Sequence, residues 1–399
     1  MSKPSFISEL SIPVIAAPLF LISGPKLVIE CCKNGIVGTF PALNQRTTEG
    51  FEEWVVQIKS ELKSFENETG KKPAPFGVNL IVHHSNPRLQ ADLKICIKHE
   101  VPLIITSLGA VSDLVESVHN YGGLVFHDII KKRHAEKAAE AGVDGLILVA
   151  AGAGGHAGTL NPMPLVAEIK KIFDKTIILS GCISNGRDVA AAMQMGADIA
   201  YMGTRFINTN ESKASDDYKN MIINSGAGDI VYTAVVSGVP ASFLRPSLEK
   251  MGISEKMWGG SPSFTQKLKM YFKVLTSKFS FAKELDLAKA EAKAWSTIWS
   301  AGQGVTNIQD TLSDANGDLI SNPELSQVPI NTNYVYHSDH LTEIHRSNGL
   351  SSSGTIDYNY PENISVFVDP SNTHYSNCLL YTSDAADDTP CVDLGGRRI

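Results

Sequence analysis

TIILSGCISNGRDVAAAMQMGADIAYMGTRF, residues 176–206, contains two apolar runs, TIILSGCI (176–183) and DIAYMGTRF (198–206), separated by GRDVAAAMQMG (186–196). Each run is almost continuously apolar, the pattern of a strand covered on both faces. The stretch between them is helix-like and ends in Gly196, a usual helix stop. Strand, helix and strand in that order predict a parallel pair with a right-handed crossover.

The same unit recurs towards the N-terminus. Strand candidates are VIAAP (14–18), IVGTF (36–40), FGVNLIV (76–82), PLIITSL (102–108), LVFHDII (124–130) and GLILVAAG (145–152). Helix-like stretches such as PKLVIECCKNG, NPRLQADLKICIKHE and KRHAEKAAEAG lie between them. Eight units in roughly 200 residues is the count that closes a parallel barrel. The expected class is therefore α/β: a (β/α)₈ TIM barrel over residues 1–206. An open doubly wound sheet is the alternative, and a GxGxxG opening the first helix would favour it. None is present there.

Residues 207–313 read as a smaller, helix-rich lobe covering one side of the barrel mouth. It holds the irregular segment DIVYTAVVSGVPASFLRP (229–246) and the amphipathic stretch ELDLAKAEAKAWSTIW (284–299). Apolar contacts to substrate and plain scaffolding are both open to it. Residues 314–399 form an irregular tail, rich in Ser, Asn, Asp, Thr and Tyr, with little apolar surface to bury. Its end, CLLYTSDAADDTPCVDLGGRRI (378–399), contains a string resembling one reading frame of a transposase sequencing adapter. A read-through artefact is expected there, which would leave Cys378 and Cys391 without function.

Of the 399 residues, 43% are hydrophobic and 19% charged, with a formal net charge of −7. That charge gives no electrostatic case for nucleic acid or an anionic membrane, so a small-molecule substrate is expected. Six scattered cysteines include no CxxC pair and no zinc-type spacing, so no metal is expected and a reducing cytoplasm fits. Cys31 and Cys32 are adjacent in a helical pattern and should pack rather than bridge. The run Ile12 to Ile22 contains Pro13 and Pro18 and falls short of the roughly 20 apolar residues that span a bilayer.

Active sites of parallel barrels lie at the C-terminal strand ends, where the connecting loops gather. The first strand brings Ala17 and Pro18 there, either against a flat ligand or as a simple turn. The third brings Asn79, whose amide must find partners inside an apolar strand; it serves a ligand's polar edge or ties two strands together. The fifth brings His127 and Asp128, which point to opposite faces, so at most one looks inward. After the sixth comes GAGGHAG (152–158), where glycines allow close approach to a ligand around the single titratable group His156. After the seventh and eighth come Ser180-Gly181-Cys182 and Gly203-Thr204. Small residues at that pair of strand ends suit a phosphate, held by backbone N–H groups, hydroxyls and a helix N-terminus; tight turns are the alternative.

These residues resemble the nitronate monooxygenases, formerly 2-nitropropane dioxygenases. AAP (16–18), GVNL (77–80), AGVDG (141–145), GAGGHAG (152–158), LSGCI (179–183) and AYMGTRF (200–206) follow the family order, and SAGQGVTNIQDTL (300–312) resembles its usual end. The resemblance implies FMN, with its phosphate on Gly181, Cys182, Gly203 and Thr204 near Ser180. It also implies Ala17, Pro18 and Asn79 along the ring or ribityl chain, with Gly155 and His156 on the substrate side. His156 aligns with the catalytic histidine, which deprotonates a nitroalkane or orients its nitronate. The implied reaction is oxidation of a nitronate with O2 to a carbonyl compound and nitrite. Many members carry a Lys near the end of the fifth strand, where this chain has Asp128. A cation there would support reduced, anionic flavin, and an Asp does the opposite. An NAD(P)H-dependent flavin reductase acting on a quinone or enoyl thioester is the first alternative. A non-catalytic barrel for a phosphorylated metabolite is the second. Homo-oligomerisation is left open.

Overall fold

Eight short parallel strands close on themselves: β1 (Val14–Ala16), β2 (Val37–Pro41), β3 (Gly77–Ile81), β4 (Leu103–Ser107), β5 (Leu124–Ile129), β6 (Gly145–Val149), β7 (Thr176–Ser180) and β8 (Ile199–Met202). The computed structural model describes residues 3–83, 86–109, 112–236, 238–258 and 298–312. Closure is made where β1 pairs with β8, Ile15 opposite Tyr201, and the Ala17 N–H extends the ladder to the Met202 carbonyl at 2.8 Å. The barrel expected from the alternation is present, and the open sheet is excluded.

Helices α1 (Pro25–Lys33), α2 (Thr48–Thr69), α3 (Leu89–Lys98), α4 (Ser112–His119), α5 (Lys132–Glu140), α6 (Pro162–Ile169) and α7 (Gly186–Gln194) follow the first seven strands. Local chemistry fixes their ends. Thr47 Oγ1 accepts from the Gly50 N–H at the start of α2, and Gly70 closes that helix in the left-handed region at φ 68°. Asn185 and Asp188 form a reciprocal capping box on α7. Cys31 and Cys32 are buried and unbridged on the inner face of α1, as the helical pattern predicts.

Strand parity separates two apolar layers. Ile15, Val37, Ile105, Phe126, Ile147, Ile178, Ile199 and Tyr201 fill the barrel interior, while alternating neighbours such as Val78, Ile104, Val125 and Leu179 pack outward against the helices. Each fully buried aliphatic or aromatic side chain of this kind stabilises the fold by about 1.5–3 kcal/mol. The interior is therefore a plugged core. Its C-terminal rim is where polar strand-end residues gather.

The eighth strand is shorter than its apolar run. It stops at Met202, and the chain turns at once into α8 (Thr204–Ile207). Next come α9 (Asp216–Ile223), β9 (Ile230–Thr233), β10 (Ala241–Leu244), α10 (Arg245–Lys250) and α11 (Glu255–Trp258). The segment expected to be irregular contains the antiparallel β9–β10 pair, Ile230 opposite Leu244. IVYT and ASFL are β-branched and aromatic enough for strands, and burial of alternate β9 side chains fits one covered face. Of the amphipathic stretch 284–299, only Ile298 and Trp299 are described. The whole 314–399 tail lies outside the described residues. No helix among those residues is long and apolar enough to cross a membrane.

Candidate active site at the barrel mouth

Parity decides which strand-end residues reach the mouth. Ala17 belongs to the inner cluster. Asn79, Asp128 and Ser180 share the inward parity of Gly77, Phe126 and Ile178, and Gly203 continues that of Tyr201. A Cβ on Gly203 would lie 3.8 Å from that of Ala17, so the ends of β1 and β8 meet there. Pro18 follows, half-buried. His127 faces outward with Val125 and Ile129, and its Nδ1 lies 2.8 Å from Thr106 Oγ1. Burial, reinforced by the charge of His134, pulls its pKa down to about 4. Of the two adjacent polar groups, Asp128 is the one at the mouth.

The loop after β6 is held from a distance. The Gly155 N–H donates to Ser300 Oγ at 2.7 Å, and the Gly155 carbonyl accepts from the Ser242 N–H at 2.8 Å. Ser300 Oγ donates in turn to the Ser242 carbonyl at 2.8 Å. Gln303 N–H reaches the Gly152 carbonyl at 2.8 Å, and Tyr232 Oη the Ala157 carbonyl at 2.9 Å. Glycine is required on both sides of this clasp. A Cβ on Gly154 would sit 2.9 Å from the Gly302 nitrogen, and one on Gly302 would sit 2.6 Å from the Gly152 carbonyl oxygen. His156 is exposed on this loop, and partial desolvation by its surroundings lowers its pKa.

After β7, Gly181 adopts φ 123° and Cys182 φ 59°, a non-glycine residue in the left-handed region. Such a residue is stable only when its surroundings hold it. Cys182 Sγ lies 3.8 Å from the Ala151 carbonyl, and burial with the nearby Asp188 charge raises its pKa. Among the described residues, no acceptor takes the N–H groups of Gly181, Cys182, Gly203 or Thr204. They form a set of free donors at two neighbouring strand ends, which suits a phosphate without any basic side chain. Just before α7, Asp188 takes the Ser184 and Asn185 N–H groups, so those two are not part of that set. Thr204 Oγ1 accepts from the Gly302 N–H at 2.9 Å, tying the same clasp to the end of β8.

Across the mouth, Asn79 Nδ2 donates to the Ile105 carbonyl at 3.2 Å and to Ser107 Oγ at 2.8 Å, and Ser107 donates to Asp128 Oδ2 at 2.5 Å. Asn79 thus ties β3 to β4 at the rim. Burial, opposed by the Ser107 bond, pushes the Asp128 pKa up to about 6. Lys131 and Lys132 are exposed beyond the strand, and Lys132 faces Glu136. Neither compensates Asp128. Sequence reasoning missed Ser107, Ser242 and the clasping role of Ser300, Gly302 and Gln303. SAGQG was visible, but nothing local to it says which loop it holds.

A plugged parallel barrel whose polar and glycine-rich groups gather at the C-terminal rim is an enzyme-type barrel. The family model described as nitronate monooxygenase matches residues 4–321, and the chain belongs to that family. It is 26% identical over 249 residues to a nitronate monooxygenase of Neurospora crassa, covering 54% of this chain and 65% of that protein. A Rhodococcus jostii protein is 28% identical over 236 residues, covering 59% and 63% respectively; it is named as a dehydrogenase of a hydroxy-methyl-oxo-octahydroindene carboxyl-CoA. The chain thus spans less than two thirds of the length of these relatives. Among solved structures, FabK from Thermotoga maritima aligns with a TM-score of 0.64 at 22% identity, covering 81% of this chain and 94% of that one. Nitroalkane oxidase from Streptomyces ansochromogenes aligns at 0.63 and 21%, covering 82% and 99%. At these identities the structures share the fold.

Proposed function

We propose that this chain is an FMN-dependent oxidoreductase that oxidises alkyl nitronates, and nitroalkanes through them, with O2 to a carbonyl compound and nitrite. The observation that carries the reading is the clasped Gly155–His156 loop standing beside the free N–H groups of Gly181, Cys182, Gly203 and Thr204. Those four residues, with Ser180, hold the phosphate. Ala17, Pro18 and Asn79 line the ring or ribityl chain, and Asp128 stands at the same rim. FMN, when bound, supplies the oxidation of the nitronate and the reaction with oxygen.

The protein supplies position, a proton acceptor and a sheltered mouth. His156 takes the proton from the carbon bearing the nitro group, or orients a nitronate already formed. Its lowered pKa keeps the imidazole unprotonated near neutral pH, the state a base requires. Residues 207–313 serve as the lobe that closes the clasp on this site, and the 314–399 tail is dispensable. Cys31, Cys32, Cys96 and Cys182 form no disulfide, which suits a cytoplasmic location.

Anaerobic mixing of the purified protein with an alkyl nitronate tests the reading. Prompt bleaching of a bound flavin, then nitrite on admitting air, is expected. A second reading, an NAD(P)H-dependent reductase of a quinone or enoyl thioester, draws on Asp128 in place of a cation and on the Rhodococcus relative's carboxyl-CoA name. A flavin that stays oxidised with nitronate but bleaches with NADPH would select it.

A further inference from the structure

The hydrogen bonds leading to Asp128 run in one direction. The Ile105 carbonyl can only accept, so the atom facing it is the Asn79 amide nitrogen, and both of its hydrogens are spent, on Ile105 and on Ser107 Oγ. Ser107 receives one hydrogen and therefore gives its own to Asp128 Oδ2. Oδ2 is an acceptor. Asp128 Oδ1 is buried and has no partner among the described residues.

No described Lys, Arg or His pairs with Asp128. Its neighbours from the packed elements are Ser107 on β4, Ile147 opposite on β6, and the phenol of Tyr201 on β8, which it influences electrostatically. An ionised carboxylate with one buried oxygen unpaired and no cation nearby is expensive, whereas a neutral acid with one hydroxyl to donate is not. The upward pKa shift agrees with this geometry.

We propose that Asp128, in its neutral carboxylic-acid form, donates a hydrogen bond from Oδ1–H to an electron-rich acceptor of the bound group. The inference rests on the FMN reading above, and the acceptor it suits is a carbonyl edge of the flavin ring. A neutral donor favours electron density there without carrying a full charge, a different solution from a family lysine. Once ionised, Asp128 loses its donor and repels the same edge.

The test compares FMN affinity of the full chain with that of Asp128→Asn, an isostere whose carbonyl can accept from Ser107 while its amide donates in place of Oδ1–H. Flavin fluorescence quenching is followed from about pH 5 to about pH 9, and the Asn variant cancels the titration of the FMN phosphate itself. The ratio of wild-type to variant Kd is expected to stay level at the acid end, then rise by up to about tenfold per pH unit above the Asp128 titration. Ser107→Ala removes a bond to the ionised form and is expected to move that break to higher pH. A level ratio with FMN bound throughout would overturn the proposal. Absence of FMN binding in every variant would instead overturn the cofactor reading. The infrared difference between wild type and Asp128→Asn at about pH 5 reads the protonated carboxyl without any flavin; no carboxylic-acid carbonyl band there would also overturn it.

Discussion

Ser300 Oγ accepts the Gly155 N–H at 2.7 Å across 145 positions of sequence. That bond joins the residue before His156 to a segment far along the chain. Because Ser300 also donates to Ser242, one hydroxyl fixes both the loop and the β9–β10 pair.

Ser300→Ala should cost about 1–3 kcal/mol of stability, from two lost hydrogen bonds and a half-buried amide left without an acceptor. Turnover should fall further than stability does, because the His156 loop loses its anchor and misplacement of about 1 Å can cost about 100-fold. Urea unfolding and nitrite release from the same preparation separate the two effects. Unchanged kcat/KM would remove the clasp from the functional argument.

Gly181→Ala meets two obstacles. Its φ of 123° disfavours any L side chain, and the new Cβ would approach the Ala151 carbonyl oxygen to 3.0 Å. Relaxing a strain of about 1–3 kcal/mol turns the N–H groups away from the phosphate and should weaken FMN by about tenfold or more. Flavin fluorescence titration checks this, and riboflavin, lacking the phosphate, should show a much smaller loss.

His156→Ala should lower turnover of neutral nitroalkanes by about 10²–10⁴, the usual contribution of a positioned base. Preformed nitronates should suffer far less, since their proton is already gone. In the wild type, the rate on neutral nitroalkanes should fall as pH drops through the His156 pKa, which lies below the ordinary 6.5. A break above that value, or equal losses on both substrates, would contradict the assignment.

Asp128 also leaves a signature in stability. Its folded pKa, about 6, lies above the ordinary 3.8, so its contribution is complete below about pH 4 and is lost as pH rises through about 6. Relative to Asp128→Asn, the wild type should therefore lose up to about 3 kcal/mol between those limits. Chemical denaturation of both proteins at matched pH measures the difference; stability that rose over that window would mean the carboxylate is the favoured buried form.

A chain ending at residue 313 should fold and hold flavin as well as the full chain. Leu312 closes the described structure by donating its N–H to the Asn208 carbonyl at 3.0 Å and accepting from the Asn210 N–H at 2.8 Å. A chain ending at residue 297 discards Ser300, Gly302 and Gln303 and should lose flavin. Thermal unfolding and bound-flavin absorbance distinguish the two truncations.

The barrel was legible because its signal is local. Apolar runs such as TIILS and LIITS are strands covered on both faces, and their alternation with capped helices leaves few topologies. The limits of the reading are local too. DIAYMGTRF looks like a single strand because residues 199–202 run straight into a short helix whose four residues are all buried. The β9–β10 pair was missed because IVYT and ASFL are four residues each and do not alternate apolar with polar.

Sequence alone determined which residue types the strand ends deliver: the glycines around His156, the small residues after β7 and β8, and the polar pair His127–Asp128. Tertiary structure alone decided their use. Strand parity and closure turned Asp128 inward and His127 outward, and left Asp128 Oδ1 unpaired. Long-range packing brought Ser300, Gly302 and Gln303 onto the loops after β6 and β8. Backbone propensities and hydrophobic periodicity act over a few residues and are written in order along the chain. Hydrogen bonds between segments far apart depend on where the whole core places them, and no window of sequence contains both partners.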